Sequence, residues 1–152
     1  MTMTTHPQLC TFRLDGRLYG VEVARVLEIL RAPSVTKVPL ASPWVRGLIN
    51  LRGQVITALD LRLRLGLGEA STDSPLMGLV VRDEQDAVIL LVDQVEDVLE
   101  VDLTTFETTP DTLRGAARAL IRGAYKREDQ LLLLLDIDEA VKMPTDPKEF
   151  LA

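Results

Sequence analysis

The chain has 152 residues, of which 47% are hydrophobic and 26% charged, which is the composition of a folded globular protein. This length allows one compact domain, or two very small units that share a core. The formal net charge of −6 argues against nucleic acid and anionic lipid as main partners, because both are bound through clustered lysine and arginine side chains.

Strand patterns dominate the start of the chain. Residues 1–7 are expected to be a flexible tail without the apolar run of a signal peptide, which favours a cytoplasmic location. Residues 9–14 and 18–23 are mostly apolar and predict two strands joined at Asp15-Gly16. Asp-Gly is typical of a type I′ hairpin turn, in which both central residues have positive φ. Residues 23–29 fit either a short helical stripe or one helical turn that leads into a strand.

The middle of the chain is punctuated by prolines and glycines. Ser42-Pro43 has the pattern of a helix N-cap followed by proline at the first helical position, which predicts a short helix over residues 43–48. A strand is predicted over residues 54–59 and one helical turn over residues 61–65. Residues 66–75 are rich in small and polar residues and predict a loop.

The second half repeats this style. No apolar stretch approaches the roughly 20 residues that cross a bilayer, so we expect no direct membrane insertion. The predicted elements are strands over 77–82, 87–92 and 98–101, a hairpin that pairs 119–126 with 131–135, a closing helix over 136–142 and a flexible tail over 143–152.

The two halves of the chain also resemble each other in sequence. The motif Arg46-Gly47, Gln54 and Asp60 recurs 76 positions later (122 − 46 = 76) as Arg122-Gly123, Gln130 and Asp136. A repeat of this length predicts two similar β subdomains, each too small to bury its own faces, packed on a common core. We place the domain at 8–142, with subdomains at about 16–75 and 76–135 and with the N- and C-terminal segments crossing between them.

Groups that could support catalysis are scarce. The single histidine, His6, lies in the predicted tail, and no nucleophile elbow or Walker-type loop is present. The single cysteine, Cys10, excludes an intrachain disulfide, and its apolar neighbours favour a buried thiol. Asp136 and Asp138 fit a hard cation site, but capping of the following helix is favoured. We therefore predict no catalytic residues, no metal and no cofactor.

The most informative segment spans residues 46–61, RGLINLRGQVITALDL. Gly47 and Gly53 mark sharp changes of backbone direction, and Asn50 can brace its own turn through side-chain bonds to the backbone. Arg52 stands directly before a glycine at a strand corner, which directs its side chain outward. There its guanidinium can pair with a carboxylate of a partner or with an acid of its own chain.

This segment resembles the signature of the CheW family, the adaptors of bacterial chemosensory arrays. The resemblance extends from about residue 10 to residue 141, and Thr57 departs from it, because the family often has proline there. The matching residues are Gly47, Asn50, Arg52-Gly53 and Asp60-Leu61-Arg62, with Phe12, Tyr19-Gly20-Val21 and Val26-Leu27-Glu28-Ile29 upstream.

The resemblance implies a mainly β fold of two small SH3-like β-barrels around a shared hydrophobic core, with short helices. It implies a non-catalytic adaptor that couples the cytoplasmic tips of methyl-accepting chemoreceptors to the regulatory domain of a CheA-type histidine kinase at inner-membrane arrays. By motif match, Val26, Glu28 and Arg52 are the candidate partner contacts. Arg62 is a weaker candidate, because it could equally be a structural partner of Asp60.

Three alternatives remain open from the sequence. The chain could serve a chemosensory pathway other than swimming, such as gliding, pilus-driven motility or developmental control. It could be a regulatory domain from a kinase or from a receiver-fused adaptor. A small β-barrel enzyme or ligand-binding domain would instead need a deep polar pocket, and Asp60, Asp136 and Asp138 are the residues we expect to line it.

Overall fold

The structure, a computed structural model, describes residues 7–39, 42–68, 75–84, 86–109, 111 and 113–142. In these residues eleven strands form two sheets, which confirms the mainly β fold class. In order of neighbours, the six-stranded sheet contains β8 (Gln94–Glu100), β1 (Gln8–Leu14), β2 (Arg17–Glu22), β11 (Leu131–Leu135), β10 (Ile121–Lys126) and β9 (Phe106–Thr108). The five-stranded sheet contains β3 (Val26–Arg31), β6 (Met77–Asp83), β7 (Asp86–Val92), β5 (Gln54–Asp60) and β4 (Val45–Leu51).

Short helices follow or precede the central strands. Helices α1 (Leu61–Arg64) and α3 (Ile137–Ala140) come directly after β5 and β11, and α2 (Ala116–Leu120) comes directly before β10. Two 3-10 turns lie at Val23–Arg25 and Leu103–Thr105. The first of these turns leads straight into β3, so the second of the two interpretations of residues 23–29 is confirmed. In the described part of the chain, no helix has the length and apolar character needed to cross a membrane.

The two sheets are built alike, which supports an internal duplication. In each sheet a strand pairs in parallel with the second strand of a hairpin: Ala58 faces Ile89 in one, and Leu134 faces Gly20 in the other. The positions of Ala58 and Leu134 differ by the repeat length (134 − 58 = 76). Both sheets also carry a register shift at the repeated glycine, Gly47 or Gly123.

The sheets group the strands differently from the expected limits of 16–75 and 76–135. Strands β1 and β2 pair with β8 and β11 in the six-stranded sheet, whereas β6 and β7 lie in the five-stranded sheet. The sequence repeat aligns β4–β5 with β10–β11. It does not indicate that β5 pairs with the β6–β7 hairpin or that β11 pairs with the β1–β2 hairpin. One sheet neighbour of β11, strand β2, comes from the opposite end of the chain, whereas the other, β10, directly precedes it.

A shared core lies between the two sheets. Phe12, Tyr19 and Leu133 of the six-stranded sheet and Leu79 and Leu90 of the five-stranded sheet are buried there in one cluster. The rings of Phe12 and Tyr19 stack with their centroids 5.7 Å apart. Since the cluster draws side chains from both sheets, neither sheet can bury this face alone.

Each sheet also encloses a small cluster of its own. The cluster of the six-stranded sheet contains Leu9, Leu18, Val101, Tyr125, Leu132 and Leu134. The cluster of the five-stranded sheet contains Ile49, Ile56, Ala58, Val80, Ile89 and Leu91. Central strands are therefore buried on both faces, which accounts for continuous apolar sequences such as 131–135. Only Leu131, the first residue of that run, is exposed.

The short helix predicted over residues 43–48 is wrong. The Val45 N–H donates to the Ser42 carbonyl over 2.9 Å, which closes a turn, and β4 begins at Val45. From there the buried residues alternate, as Gly47 and Ile49 show. The Ser-Pro pattern is compatible with a turn as well as with a helix start, and the pairing of β4 with β5 decides between them.

Other local predictions are confirmed. Asp15 and Gly16 have φ values of 55° and 81°, as a type I′ turn requires. Asp136 caps the helix that follows it, as predicted, and Asp60 caps α1 in the same way. The predicted tails, except for Pro7, lie outside the described residues, as does most of the predicted loop at 66–75.

Candidate functional site: a partner-binding surface

The turn between β4 and β5 presents an arginine at its tip. Arg52 and Gly53 have φ values of 52° and 84°, so the chain makes a type I′ turn there. The Asn50 side chain accepts a hydrogen bond from the Gly53 N–H over 2.9 Å, as predicted. This brace holds the turn while the Arg52 side chain remains 71% exposed.

Arg52 forms a two-pronged ion pair with Glu28 on β3. Its Nη1 and Nη2 atoms donate to the Glu28 carboxylate oxygens over 3.0 and 2.5 Å. Strand β3 is an edge strand, whose only sheet neighbour among the described residues is β6. The pair thus joins a hairpin tip to a sheet edge on the surface, where its net contribution to stability is small because water competes for both charges.

Apolar residues precede and follow Glu28 on β3, and exposed and less exposed side chains alternate along this strand. Val26 is half-buried and packs against the shared core. On β3 and β5, Leu27, Ile29 and Val55 are 48%, 46% and 61% exposed. We call these four residues together with Glu28 and Arg52 the β3–β5 surface. Leu27, Ile29 and Val55 were not predicted from the sequence, although apolar residues at the outward positions of a short alternating strand are a usable signal.

The Arg52 guanidinium lowers the pKa of the Glu28 carboxyl, first through the hydrogen bonds and then through its charge. Because the folded-state pKa is depressed, the stabilisation from this pair is present above the unfolded-state pKa and is lost as pH falls through the lower, folded value. We expect an NMR titration of the Glu28 side-chain carboxyl to have its midpoint below the usual value. In Arg52→Gln the midpoint should return toward that value, and an unchanged midpoint would show that the pair does not form in solution.

Asp60 and Gly47 have structural roles. Asp60 is 1% exposed, its carboxylate accepts a hydrogen bond from Arg46 Nε over 2.8 Å, and its other oxygen caps α1 at the Leu63 N–H over 3.2 Å. Gly47 is buried where β4 passes the backbone of Thr36.

Arg62 is placed in the interior, 4% exposed. Its Nη1 atom donates to Asp93 over 2.8 Å and its Nη2 atom to Asp15 over 3.3 Å. The alternative that Arg62 is the partner of Asp60 is wrong, because Arg46 takes that position. A side chain so buried has little surface to offer another protein, so Arg62 is not part of the β3–β5 surface.

The remaining candidates also have structural positions. Asp136 caps α3, and Asp138 forms an ion pair with Arg25 over 2.8 Å. Within the described residues, no group of three or more His, Cys, Asp or Glu residues could hold a metal ion. Cys10 is buried, and burial raises the pKa of its thiol.

One cavity of about 300 Å³ bears on the ligand-binding alternative. It is lined by Gly16, Arg17, Leu18, Leu113, Gln130, Leu131 and Leu133. Asp60, Asp136 and Asp138 are not among these residues. The cavity therefore does not bring together the three aspartates that this alternative requires.

Comparison with known proteins identifies the family. The family model for the CheW-like domain matches residues 8–144. The chain belongs to the CheW-like domain family. Family members named as chemotaxis protein CheW include the one from Treponema pallidum, 31% identical over 134 residues, which cover 86% of this chain and 79% of that protein.

Two further matches are informative. Protein PilI of Pseudomonas aeruginosa is 30% identical over 122 residues, which cover 80% of this chain and 68% of that protein. The crystal structure of the scaffolding protein TtCheW from Thermoanaerobacter tengcongensis superposes with a TM-score of 0.82 at 25% identity, covering 93% of this chain and 97% of that chain. The likeness thus extends over the whole arrangement of two sheets.

Proposed function

We propose that this chain is a non-catalytic adaptor that couples the cytoplasmic tips of methyl-accepting chemoreceptors to the regulatory domain of a CheA-type histidine kinase. Membership of the CheW-like domain family supports this, as do relatives named as chemotaxis proteins and a structural neighbour described as a scaffolding protein. The adaptor acts in the cytoplasm and is recruited to receptor arrays at the inner membrane.

The observation that carries the proposal is the exposed Arg52–Glu28 pair, which joins the tip of the β4–β5 hairpin to the edge strand β3. A receptor tip is a helical hairpin with charged and apolar faces. The ion pair offers it one cation and one carboxylate that set the register of the helix, and Val26 offers apolar contact. Val26, Glu28 and Arg52 are the proposed receptor contacts.

An adaptor of this kind needs no catalytic group. It passes a signal only if it contacts its partners differently in the kinase-on and kinase-off states, because a ligand with equal affinity for two states cannot shift their equilibrium. A rigid surface is suited to this task. The Asn50 brace fixes the turn that carries Arg52, and the two-pronged pair directs its guanidinium toward Glu28 before the partner arrives.

Calorimetric titration with two separate partners tests the proposal. We expect the wild-type chain to bind the regulatory domain of a CheA-type kinase from the same organism, and also a receptor cytoplasmic fragment. Arg52→Asp should weaken receptor binding by roughly 10- to 100-fold, since it removes a cation and places a second carboxylate beside Glu28. Binding to neither partner by a folded sample would refute the adaptor function.

Arg31→Asp is the matched control. Arg31 is also an exposed arginine, at the end of β3, and it forms no ion pair within the described residues. If net charge alone governs receptor binding, Arg31→Asp and Arg52→Asp will weaken it equally. Should only Arg52→Asp weaken it, with kinase binding unchanged in both, the receptor contact lies at the β3–β5 surface.

A charge-exchange variant distinguishes direct contact of the ion pair with the receptor from its role in holding the hairpin tip. Glu28→Arg combined with Arg52→Glu restores an ion pair across the same gap but reverses its polarity. We expect this double variant to fold like the wild type and still to bind the receptor fragment weakly. Full recovery of receptor binding would mean that the pair serves only to hold the hairpin tip.

The match to PilI favours a second candidate, an adaptor in a pilus-linked chemosensory pathway. The fold and the signature residues would be the same in both cases. Titration against the regulatory domains of each CheA-type kinase in the organism discriminates the two, because an adaptor binds its own kinase more tightly than that of the other pathway.

A further inference from the structure

The contacts of Arg62 join the two sheets. Arg62 belongs to α1, which follows β5 of the five-stranded sheet. Asp93 lies in the single-residue crossover from β7 to β8, where the chain passes between the sheets, and Asp15 lies in the β1–β2 turn of the six-stranded sheet. The Asp15 N–H also donates to the Asp93 carboxylate over 2.9 Å. One arginine therefore connects an element of each sheet with the crossover between them.

The opposite crossover carries a related contact. Asp138, 76 positions after Arg62, pairs with Arg25 in the 3-10 turn that leads from β2 of one sheet to β3 of the other. Its side chain is 65% exposed, whereas that of Arg62 is 5% exposed. Water competes for the exposed pair, so the contact at Arg62 is the stronger of these two ion-pair contacts.

We propose that Arg62 is a positioning residue that locks the two sheets against each other over the shared core. Arg62 fixes the position of one sheet relative to the other, and each sheet also has an apolar cluster of its own. Removing the guanidinium leaves Asp93 and Asp15 close together without their shared cation, which favours separation at this crossover. The shared core then opens locally before the clusters within the sheets are lost.

Cys10 reports such an opening directly. It lies on β1, is 2% exposed, and belongs to the shared core. Burial raises the pKa of its thiol, so it reacts with a thiol reagent only after it is exposed to water. Its reaction rate under native conditions is therefore proportional to the open fraction of the shared core, and it is the chain's single thiol.

The test compares the rate of Cys10 modification by a disulfide reagent in the wild type, Arg62→Met and Arg62→Lys, each as a function of urea. We expect Arg62→Met to react roughly 10- to 100-fold faster than the wild type. Its rate should depend only weakly on urea, because a local opening exposes less surface than global unfolding. Arg62→Lys keeps the charge but not the planar fork, and should react at an intermediate rate.

Arg122→Gln is the control, since Arg122 pairs with Glu22 inside the six-stranded sheet and is 54% exposed. Its Cys10 rate should equal that of the wild type. If Arg62 only adds to global stability, Cys10 modification in Arg62→Met should also be faster. Its rate should then depend on urea as steeply as global unfolding does, which is measured by Trp44 fluorescence. That result, or unchanged rates, would overturn the proposal. If Arg62→Met does not fold, the urea dependence of Arg62→Lys decides the question, independently of any partner protein.

Discussion

Gly47→Ala is expected to destabilise the protein more than any other single substitution proposed for this chain. Gly47 has a φ of +149°, and a Cβ atom there would lie 2.0 Å from the carbonyl oxygen of Thr36 and 2.7 Å from its carbonyl carbon. These are backbone atoms, held by two hydrogen bonds of 2.8 Å between Thr36 and Leu48. They can move away only if that bridge breaks, and the expected cost is more than about 3 kcal/mol out of a typical total of about 5–15 kcal/mol.

Urea denaturation followed by the fluorescence of Trp44 measures this cost. Gly53→Ala is the matched control, because Gly53 also has a positive φ, of +84°, but no atom lies within 4 Å of its added Cβ. That variant meets only the backbone strain of an L-residue at positive φ, about 1–2 kcal/mol. Equal losses in the two variants would show that conformational strain, and not the contact with Thr36, fixes glycine at position 47.

Asp60→Ala is expected to lower the free energy of unfolding by about 2–4 kcal/mol. The substitution removes the cap of α1 at the Leu63 N–H and the partner of Arg46 in one step. The loss should stay below that of a fully buried pair, because Arg46 is 39% exposed and can regain water. The measurement is again the unfolding free energy from urea denaturation.

The internal repeat supplies the control for this prediction. Asp136 caps α3 at the Glu139 N–H over 3.2 Å, in the same manner, but is not part of an ion pair within the described residues. Asp136→Ala should therefore cost only about 1 kcal/mol, the usual effect of losing a cap. Similar losses at both positions would contradict the importance of Arg46. Asp60→Asn, which keeps a capping oxygen but removes the charge, should fall between the wild type and Asp60→Ala.

Local chemistry made much of the surface predictable. The turn at Asp15-Gly16 follows from two residues that tolerate positive φ, and Gly53 marks the turn that exposes Arg52. The caps at Asp60 and Asp136 also depend only on atoms within three residues. The error at residues 43–48 has the same origin, since Ser-Pro favours a turn and a helix start alike, and the distant strand β5 selected the turn.

The sequence does not predict which charged residues form ion pairs with each other. Whether Arg52 pairs with Glu28, and whether Asp60 pairs with Arg46 or with Arg62, depends on which strands lie side by side. Oppositely charged residues are numerous in this chain, and any of them could supply a partner. Only tertiary packing brings a particular pair within hydrogen-bonding distance, and only burial determines how strong that pair is.

By itself, the sequence determined the mainly β class, the repeat of 76 positions, the turn chemistry and the family resemblance, because each depends on residue types at short or constant spacing. The tertiary structure alone decided that β1 and β2 complete the six-stranded sheet, that Arg62 lies inside and that Leu27 and Ile29 lie outside. These features arise from contacts between residues far apart in the chain. An alternating apolar strand shows which residues share a face, but not what covers that face.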